Sequence, residues 1–177
     1  MSVGCLLLGL ALTPRAEACT GITLRAADGA CIVARTIEWG GSNLNSRYVV
    51  VPRGYAQRSY TPEGIDGMRF TARYGYVGLS VEREEFVAEG LNEEGLSAGL
   101  FYFPGYGEYE AYDPARKEES IADLQLVSLV LGACRTIDEV KELIYGEVAS
   151  EGEALSYTPE EHSMITAWYY GVPKLQY

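Results

Sequence analysis

The stretch Ala16-Glu17-Ala18-Cys19-Thr20-Gly21 is the part of this sequence on which the interpretation of the remainder depends. An apolar run over residues 3–12 precedes it. Ala16 and Ala18 have small side chains at the spacing that a secretory signal peptidase requires. The cut is therefore predicted to fall between Ala18 and Cys19, which makes Cys19 the first residue of the mature chain.

Residues 1–18 are accordingly expected to be a signal peptide, followed by one domain over residues 19–177. The protein is then exported to a periplasmic or extracellular compartment in which disulfides can form. Neither Lys nor Arg precedes the apolar core of the leader, which is unusual for such a segment. A lipoprotein leader, in which the cysteine after the cut is lipidated, is the alternative, but Ala16 and Glu17 fit that pathway poorly.

A cysteine at a free N-terminus carries a thiol and an α-amino group on one residue. The amine, with a reference pKa of about 7.7–8.0, can act as the base for a thiol whose reference pKa is about 8.5. Nucleophile and base then need no partner from elsewhere in the chain. The pattern at Cys19 therefore predicts an N-terminal nucleophile that cleaves amide bonds.

The composition is that of an ordinary globular protein, with 47% hydrophobic residues and a mean hydropathy of −0.05. A formal net charge of −11 argues against nucleic acid and anionic membrane surfaces as partners. No long apolar stretch follows the leader, so no membrane span is expected. Cys31 and Cys134 lie in apolar runs and are expected to be buried. With no Cys-x-x-Cys pair and a single His162, we expect neither a metal site nor a cofactor.

Two apolar, β-branched runs over residues 20–24 and 30–36 flank Ala26-Ala27-Asp28-Gly29, which is the pattern of a β-hairpin. The loop length sets the register of the two strands. The register in turn decides which side chains lie near the cysteine that precedes the hairpin.

A two-residue loop would place Cys19 opposite Glu38 and send Arg35 to the other face. A three-residue loop that ends with a left-handed Gly29 would place Cys19 opposite Ile37, with Arg35 on the same face as the cysteine. We favour the second register, because an arginine near the thiol helps to hold it as the thiolate.

Further strands are expected where apolar and β-branched residues lie between glycines. Their predicted positions are 48–51, one or two strands within 68–80, 86–88 and 96–103, with a turn over 89–95. Residues 57–67 are expected to form an excursion at the surface.

A helical period follows these strands. Ser120 with Asp123, and Thr136 with Glu139, have the spacing of N-terminal capping boxes. The first helix ends at Gly132 and has so broad an apolar surface that we expect it to be buried against a sheet. Strands followed by a helix pair predict a layered α+β domain.

Three motifs stand in order along the chain: Cys19-Thr20-Gly21, residues 34–40 (ARTIEWG) and residues 89–96 (EGLNEEGL). In this order and spacing they resemble the choloylglycine hydrolase family, which contains bile salt hydrolases and penicillin V acylases. The resemblance runs from Cys19 to about Glu147. It implies an N-terminal-nucleophile αββα sandwich that hydrolyses a linear amide, with a small N-acyl amide as substrate.

The resemblance also implies roles for particular residues. Cys19 matches the family's nucleophile, Arg35 the arginine beside the thiol, and Asn92 the asparagine that donates to the oxyanion. The family's aspartate near the amino terminus corresponds to Glu38, which is one methylene longer. Gly21 has no side chain and is expected to let the substrate carbonyl approach the thiolate closely.

Each role has a plainer alternative. Arg35 could be an ordinary ion-pairing residue, Asn92 a turn former, and Glu38 an exposed charge at a strand end. Tyr102 and Tyr106 belong to a tyrosine-rich loop that could line an acyl pocket and bind substrate, or could simply pack with other aromatic residues.

Family members are substantially longer and carry another asparagine and another arginine in their second half, neither of which can be assigned here. Residues 167–177 do not continue the expected pattern, so the domain is expected to be truncated at its C-terminus. With much of the second sheet absent, we expect exposed apolar surface, low stability and weak activity or none.

Two questions stay open at the level of sequence. Penicillin V and other N-acyl amides compete with conjugated bile salts as substrate, with motifs slightly more similar to those of exported acylases; a homo-oligomer is open too. The rival interpretation is a non-catalytic exported domain or inactive fragment, in which Cys19 pairs with Cys31 or Cys134 in a structural disulfide.

Overall fold

The computed structural model describes residues 19–38, 43–101, 112–145 and 174–175. Three sets of predictions lie outside these residues: the signal peptide over 1–18, the tyrosines Tyr102 and Tyr106, and His162.

The chain begins with the expected hairpin. Strand β1 (Gly21–Arg25) pairs antiparallel with strand β2 (Cys31–Arg35), so that the first residue of β1 lies opposite the last residue of β2. The loop has three residues and ends at Gly29, whose φ of +88° is left-handed. Continued by one further backbone pair, this register places Cys19 opposite Ile37. The favoured register is confirmed.

Six more strands form two antiparallel sheets, and a short parallel pair follows. The strands are β3 (Arg47–Val51), β4 (Ala56–Arg58), β5 (Arg69–Thr71), β6 (Tyr76–Ser80), β7 (Val87–Asn92), β8 (Ser97–Gly99), β9 (Ile121–Ala122) and β10 (Lys174–Leu175). The four-stranded sheet has the order β3-β6-β7-β8, β4 pairs with β5, and β9 pairs with β10. Strand β7 continues into the segment predicted as a turn, and only the end of that segment turns back toward β8.

Helix α1 (Leu126–Ala133) packs on the inner face of the four-stranded sheet. Residues 126–132 are all buried, as the broad apolar surface predicted. Leu131 is fully buried and lies so close to Gly90 of β7 that a Cβ there would be 2.6 Å from the leucine Cδ1. The glycine therefore allows helix and strand to approach closely.

The start of α1 differs from the prediction. The chain continues from Ser120 into strand β9, the Ser120 hydroxyl donates to the carbonyl of Arg116, and its backbone N–H donates to the carbonyl of Lys117, so Ser120 does not cap α1 as predicted. Two short 3₁₀ helices, Pro114–Glu119 and Asp123–Gln125, occupy the region instead.

Helix α2 (Ile137–Tyr145) begins as predicted, because the hydroxyl of Thr136 accepts from the backbone N–H of Glu139 at 3.2 Å. The carboxylate of Glu139 turns back to the backbone N–H of Arg135 at 2.7 Å. Within the described part of the chain, neither α-helix is long and apolar enough to cross a membrane.

The segment 57–67 is more than a surface excursion. It starts in β4 and leads to Ser59, which is fully buried. The Ser59 hydroxyl accepts from the backbone N–H of Ala122 at 2.7 Å and donates to the side-chain oxygen of the buried Gln125 at 3.0 Å. These hydrogen bonds between buried polar groups attach the segment to the helical region. Buried polar residues produce no hydrophobic periodicity, so the sequence pattern of residues 57–67 did not indicate them.

The outer face of the four-stranded sheet is apolar and exposed. Val50, Val77 and Leu91 lie side by side across β3, β6 and β7, and Tyr48 is 92% exposed on the neighbouring row. The expectation of exposed apolar surface is confirmed for this face.

Candidate active site

The β1–β2 hairpin is attached to the four-stranded sheet by Arg35, the last residue of β2. Its guanidinium Nη1 donates to the backbone carbonyls of Leu100 at 2.6 Å and Ala88 at 3.2 Å. The Arg35 Nε donates to the carbonyl of Thr36 at 3.2 Å, and the side chain is only 5% exposed. A buried cation held by oriented carbonyls has little freedom to move.

Glu89 and Phe101 complete the surroundings of this guanidinium. A carboxylate oxygen of Glu89 lies 3.5 Å from the Arg35 Nε, and the ring of Phe101 lies 4.5 Å from the guanidinium carbon. Burial raises the pKa of the Glu89 carboxyl, and the Arg35 charge opposes that shift without cancelling it. The pair is therefore partly desolvated rather than a screened surface contact.

Gly21 lies directly opposite Arg35 in the hairpin. A Cβ built on Gly21 would lie 2.6 Å from the Cζ of Phe101, so no side chain fits here unless the ring moves. The expectation was that this glycine gives a substrate carbonyl access to the thiolate. In the structure its bare backbone makes room for an aromatic ring of the protein itself.

Cys19 lies two residues before Gly21, which corresponds to about 7 Å of extended chain. Its thiol is free and its side chain is partly exposed. Thr20, between the two, pairs with Thr36 through backbone and side chain: the Thr36 N–H donates to the Thr20 carbonyl at 2.8 Å, and the Thr20 N–H donates to the Thr36 hydroxyl at 3.2 Å. Both backbone groups of Thr20, the residue next to Cys19, are therefore hydrogen-bonded to Thr36.

Glu38 joins this arrangement through the same hydroxyl. Thr36 donates its hydroxyl proton to a carboxylate oxygen of Glu38 at 3.0 Å while it accepts from Thr20. Two hydrogen bonds therefore connect the Glu38 carboxylate to the backbone next to Cys19. Glu38 is exposed, but it is directed toward the hairpin end rather than away from it.

Asn92 has partners that differ from those an oxyanion donor needs. Its side chain is 3% exposed, and its amide nitrogen donates to the carbonyls of Leu131 and Cys134 at 3.0 and 2.6 Å. Its amide oxygen accepts from the backbone N–H groups of Glu94 and Leu96. Both ends of the amide are used to close the turn after β7 and to hold the end of α1.

The position of Asn92 in β7 agrees with that structural role. Arg35 is bound at Ala88, whereas Asn92 lies four residues farther along the strand, about 13 Å away. Asn92 therefore closes the turn after β7, and its role as an oxyanion donor stays a prediction.

The rival disulfide does not fit the hairpin. Cys31 lies opposite Arg25, six residues beyond Cys19 and about 20 Å along the strand, whereas bridged cysteines need Cα atoms within about 7 Å. Cys19, Cys31 and Cys134 are all free. Cys31 is exposed, contrary to expectation, because the hairpin extends into solvent; Cys134 is buried as predicted.

Sequence reasoning missed three contributors to the site, namely Thr36, Glu89 and Phe101. Each was read as part of a strand or turn. Only Thr36 could have been inferred from the sequence, because it lies between the two motif residues Arg35 and Glu38. Within the described residues, no group of three or more acidic, histidine or cysteine side chains could hold a metal ion.

Comparison with known proteins decides the family. A family model for the linear amide C–N hydrolases of the choloylglycine hydrolase family matches residues 19–155. The chain belongs to that family. The match starts at Cys19, two residues before the hairpin.

Two curated relatives agree with this assignment. Over 130 residues the chain is 27% identical to the bile salt hydrolase/transferase of Clostridium perfringens, covering 71% of this chain and 37% of the relative. Over 150 residues it is 23% identical to an uncharacterized protein of Paramecium bursaria Chlorella virus 1, covering 84% of this chain and 45% of that protein. The chain thus spans less than half the length of the curated relatives it matches.

Solved structures of the choloylglycine hydrolase family show the same fold. Crystal structures of two variants of the conjugated bile acid hydrolase from Clostridium perfringens match with a TM-score of 0.55 each, at 26% and 25% identity. The match covers 72% and 71% of this chain and 37% of each of those chains. The predicted α+β fold of the N-terminal-nucleophile type is confirmed for the part of it that this chain forms.

Proposed function

We propose that this chain is the N-terminal part of a linear amide hydrolase in which Cys19 is the nucleophile. The observation that carries the proposal is the hairpin register, which puts the buried guanidinium of Arg35 opposite Gly21, two residues from the thiol. Family membership supplies the reaction class. The signal peptide over residues 1–18 and export to the periplasm or extracellular space belong to the same proposal, because the nucleophile needs a free α-amine.

The reaction proceeds in two steps. The α-amine of Cys19 takes the thiol proton, and the thiolate attacks the amide carbonyl to form a tetrahedral oxyanion. The C–N bond then breaks, the leaving amine takes the proton from the α-ammonium, and a thioester remains on the sulfur. Water, activated by the same amine, hydrolyses the thioester and restores the thiol.

The charged residues near the hairpin end support these steps. Arg35 favours the thiolate over the thiol, because a nearby cation stabilises the anionic form. Glu38, held by Thr36 next to Thr20, favours the protonated amine that the first step produces.

The substrate class is an N-acyl amide. The curated relative from Clostridium perfringens is a bile salt hydrolase/transferase, which supports a conjugated bile salt. Residues 35–40 and the tyrosine-rich loop resemble the exported acylases slightly more, which supports a phenoxyacetyl amide such as penicillin V. Parallel assays with a glycine-conjugated bile salt and a phenoxyacetyl amide separate these two.

The decisive experiment identifies the N-terminus and the thiol together. Mass spectrometry of secreted protein is expected to show a chain that starts at Cys19, and iodoacetamide at near-neutral pH is expected to alkylate it rapidly. Cys19→Ser should abolish amide hydrolysis while leaving the unfolding transition unchanged. Residues still attached ahead of Cys19 in active protein would overturn the proposed mechanism.

A further inference from the structure

The ring of Phe101 contacts both members of the backbone pair that lies closest to the proposed nucleophile. It occupies the space in which a side chain of Gly21 would lie, 2.6 Å from the built Cβ position. It also covers the face of the Arg35 guanidinium at 4.5 Å. Gly21 and Arg35 face each other across β1 and β2, so one ring meets both strands at the same point.

Two nitrogens of the guanidinium have partners as well. The carbonyls of Leu100 and Ala88 accept from Nη1, and Glu89 lies 3.5 Å from Nε. Since these groups bind the edge of the planar guanidinium, the ring of Phe101 is the contact that restrains tilting of its plane. Leu100, whose carbonyl is one of the acceptors, directly precedes Phe101 in the chain. The hydrogen bond to the Leu100 carbonyl therefore also keeps the backbone of Phe101 close to the guanidinium.

We infer that Phe101 is a positioning residue for the N-terminal nucleophile: its ring fills the notch at Gly21 and covers Arg35, which sets the place of Cys19 relative to the cation. The inference rests on the proposed function of Cys19. It adds a residue that no motif contains and that acts only through Gly21 and Arg35.

A double-mutant cycle tests this contact. Phe101→Ala removes the ring, Gly21→Ala forces the ring to move, and the double variant lets the added methyl group occupy the vacated space. Gly99→Ala is the matched control, because its built Cβ lies at an ordinary 3.7 Å from the same ring. Phe101→Leu keeps apolar volume without an aromatic face, and it replaces Phe101→Ala in the cycle if the alanine variant does not fold.

The primary readout is the alkylation rate of Cys19 as a function of pH, measured by peptide mass spectrometry. Cys31, an exposed thiol on the same hairpin, serves as reference in each sample. Gly21→Ala and Phe101→Ala are each expected to slow Cys19 about tenfold relative to Cys31, since a small displacement of a catalytic group is costly. The double variant should react no more slowly than Gly21→Ala alone, and Gly99→Ala should match wild type.

The outcomes separate the two proposals. Unchanged Cys19 rates in both single variants, or losses that multiply in the double variant, overturn the positioning role of Phe101. Residues still attached ahead of Cys19 in the secreted wild type overturn the proposed function, while the alkylation cycle still decides whether the ring positions the thiol. Unfolding curves of all variants show whether each is folded when it is labelled.

Discussion

Arg35 donates a hydrogen bond of 2.6 Å to the backbone carbonyl of Leu100, although 65 residues separate the two in the chain. The bond joins the end of β2 to the end of β8 and so attaches an otherwise exposed hairpin to the sheet. Because the proposed nucleophile lies two residues before that hairpin, the stability of this junction and the placement of the thiol depend on the same side chain.

Replacing Arg35 by Gln is expected to lower the free energy of unfolding by about 2–4 kcal/mol, because it leaves a desolvated carboxylate and the Leu100 carbonyl without their cationic partner. Arg35→Lys keeps the positive charge but lacks the planar guanidinium, so its free energy of unfolding should lie between those of the wild type and Arg35→Gln. Urea unfolding measures the change. Arg47→Gln breaks an exposed ion pair with Glu84 and should lower the free energy of unfolding by about 0.5 kcal/mol or less. A loss as large as that of Arg35→Gln would contradict the conclusion that Arg35 holds the hairpin to the sheet.

Asn92→Asp should destabilise the protein by about 2–3 kcal/mol, because it places a carboxylate oxygen against the carbonyls of Leu131 and Cys134. Thermal unfolding gives the change. Asn43→Ala, which removes one exposed contact, is the control. Full stability of Asn92→Asp combined with lost amide turnover would support the predicted oxyanion role instead.

The three cysteines of the described part of the chain should differ sharply in reactivity. Burial raises the pKa of the Cys134 thiol to about 11, with the charges of Glu139 and Glu142 acting in the same direction. A thiol that is protonated and 3% exposed should resist alkylation at neutral pH, whereas Cys31 should react readily. Timed labelling with peptide mass spectrometry compares them, and urea above the unfolding transition is expected to remove the protection of Cys134. Rapid labelling of Cys134 in folded protein would mean that the end of α1 opens locally.

Gly29→Ala tests the loop that sets the hairpin register. The left-handed backbone disfavours a Cβ by about 1–2 kcal/mol, although the space around this Cβ is open. Gly29→Asn should cost less, since asparagine tolerates that conformation better. Unfolding curves give the order, with Ala27→Ser as a control that leaves the backbone unstrained. Equal stability of the alanine and glycine proteins would contradict the three-residue loop.

The parts of the fold that local chemistry determines were predictable. Residues 26–29 predicted the hairpin but allowed a loop of two or three residues, and the observed register was favoured because it puts Arg35 on the same face as Cys19. Thr136 predicted the start of α2 because its cap needs only neighbouring residues. The start of α1 was wrong by about a turn and a half, since Ser120 bonds backward to Arg116 and its segment pairs as a strand. Tertiary pairing outweighed a correct capping pattern.

The site was predictable only in part for a related reason. Arg35 and Glu38 were proposed because they stand in the motif over residues 34–40, whereas the motif around Asn92 leaves two roles open, because a turn and an oxyanion donor call for the same residue type. Phe101 carries no polar atom, so nothing in the sequence distinguishes it from core packing. Ser59 and Gln125 are buried and hydrogen-bonded to each other, but they lie 66 residues apart. No hydrophobic periodicity in the sequence marks either of them as a core residue.

The acceptors for Arg35 at Ala88 and Leu100 are main-chain oxygens, which every amino acid supplies. Side chains at these two positions can therefore diverge among homologues while the arginine remains anchored. Because such a contact does not constrain the residue type of its partner, neither motif searches nor pairwise covariation can detect it. It becomes visible only when the backbone structure is known.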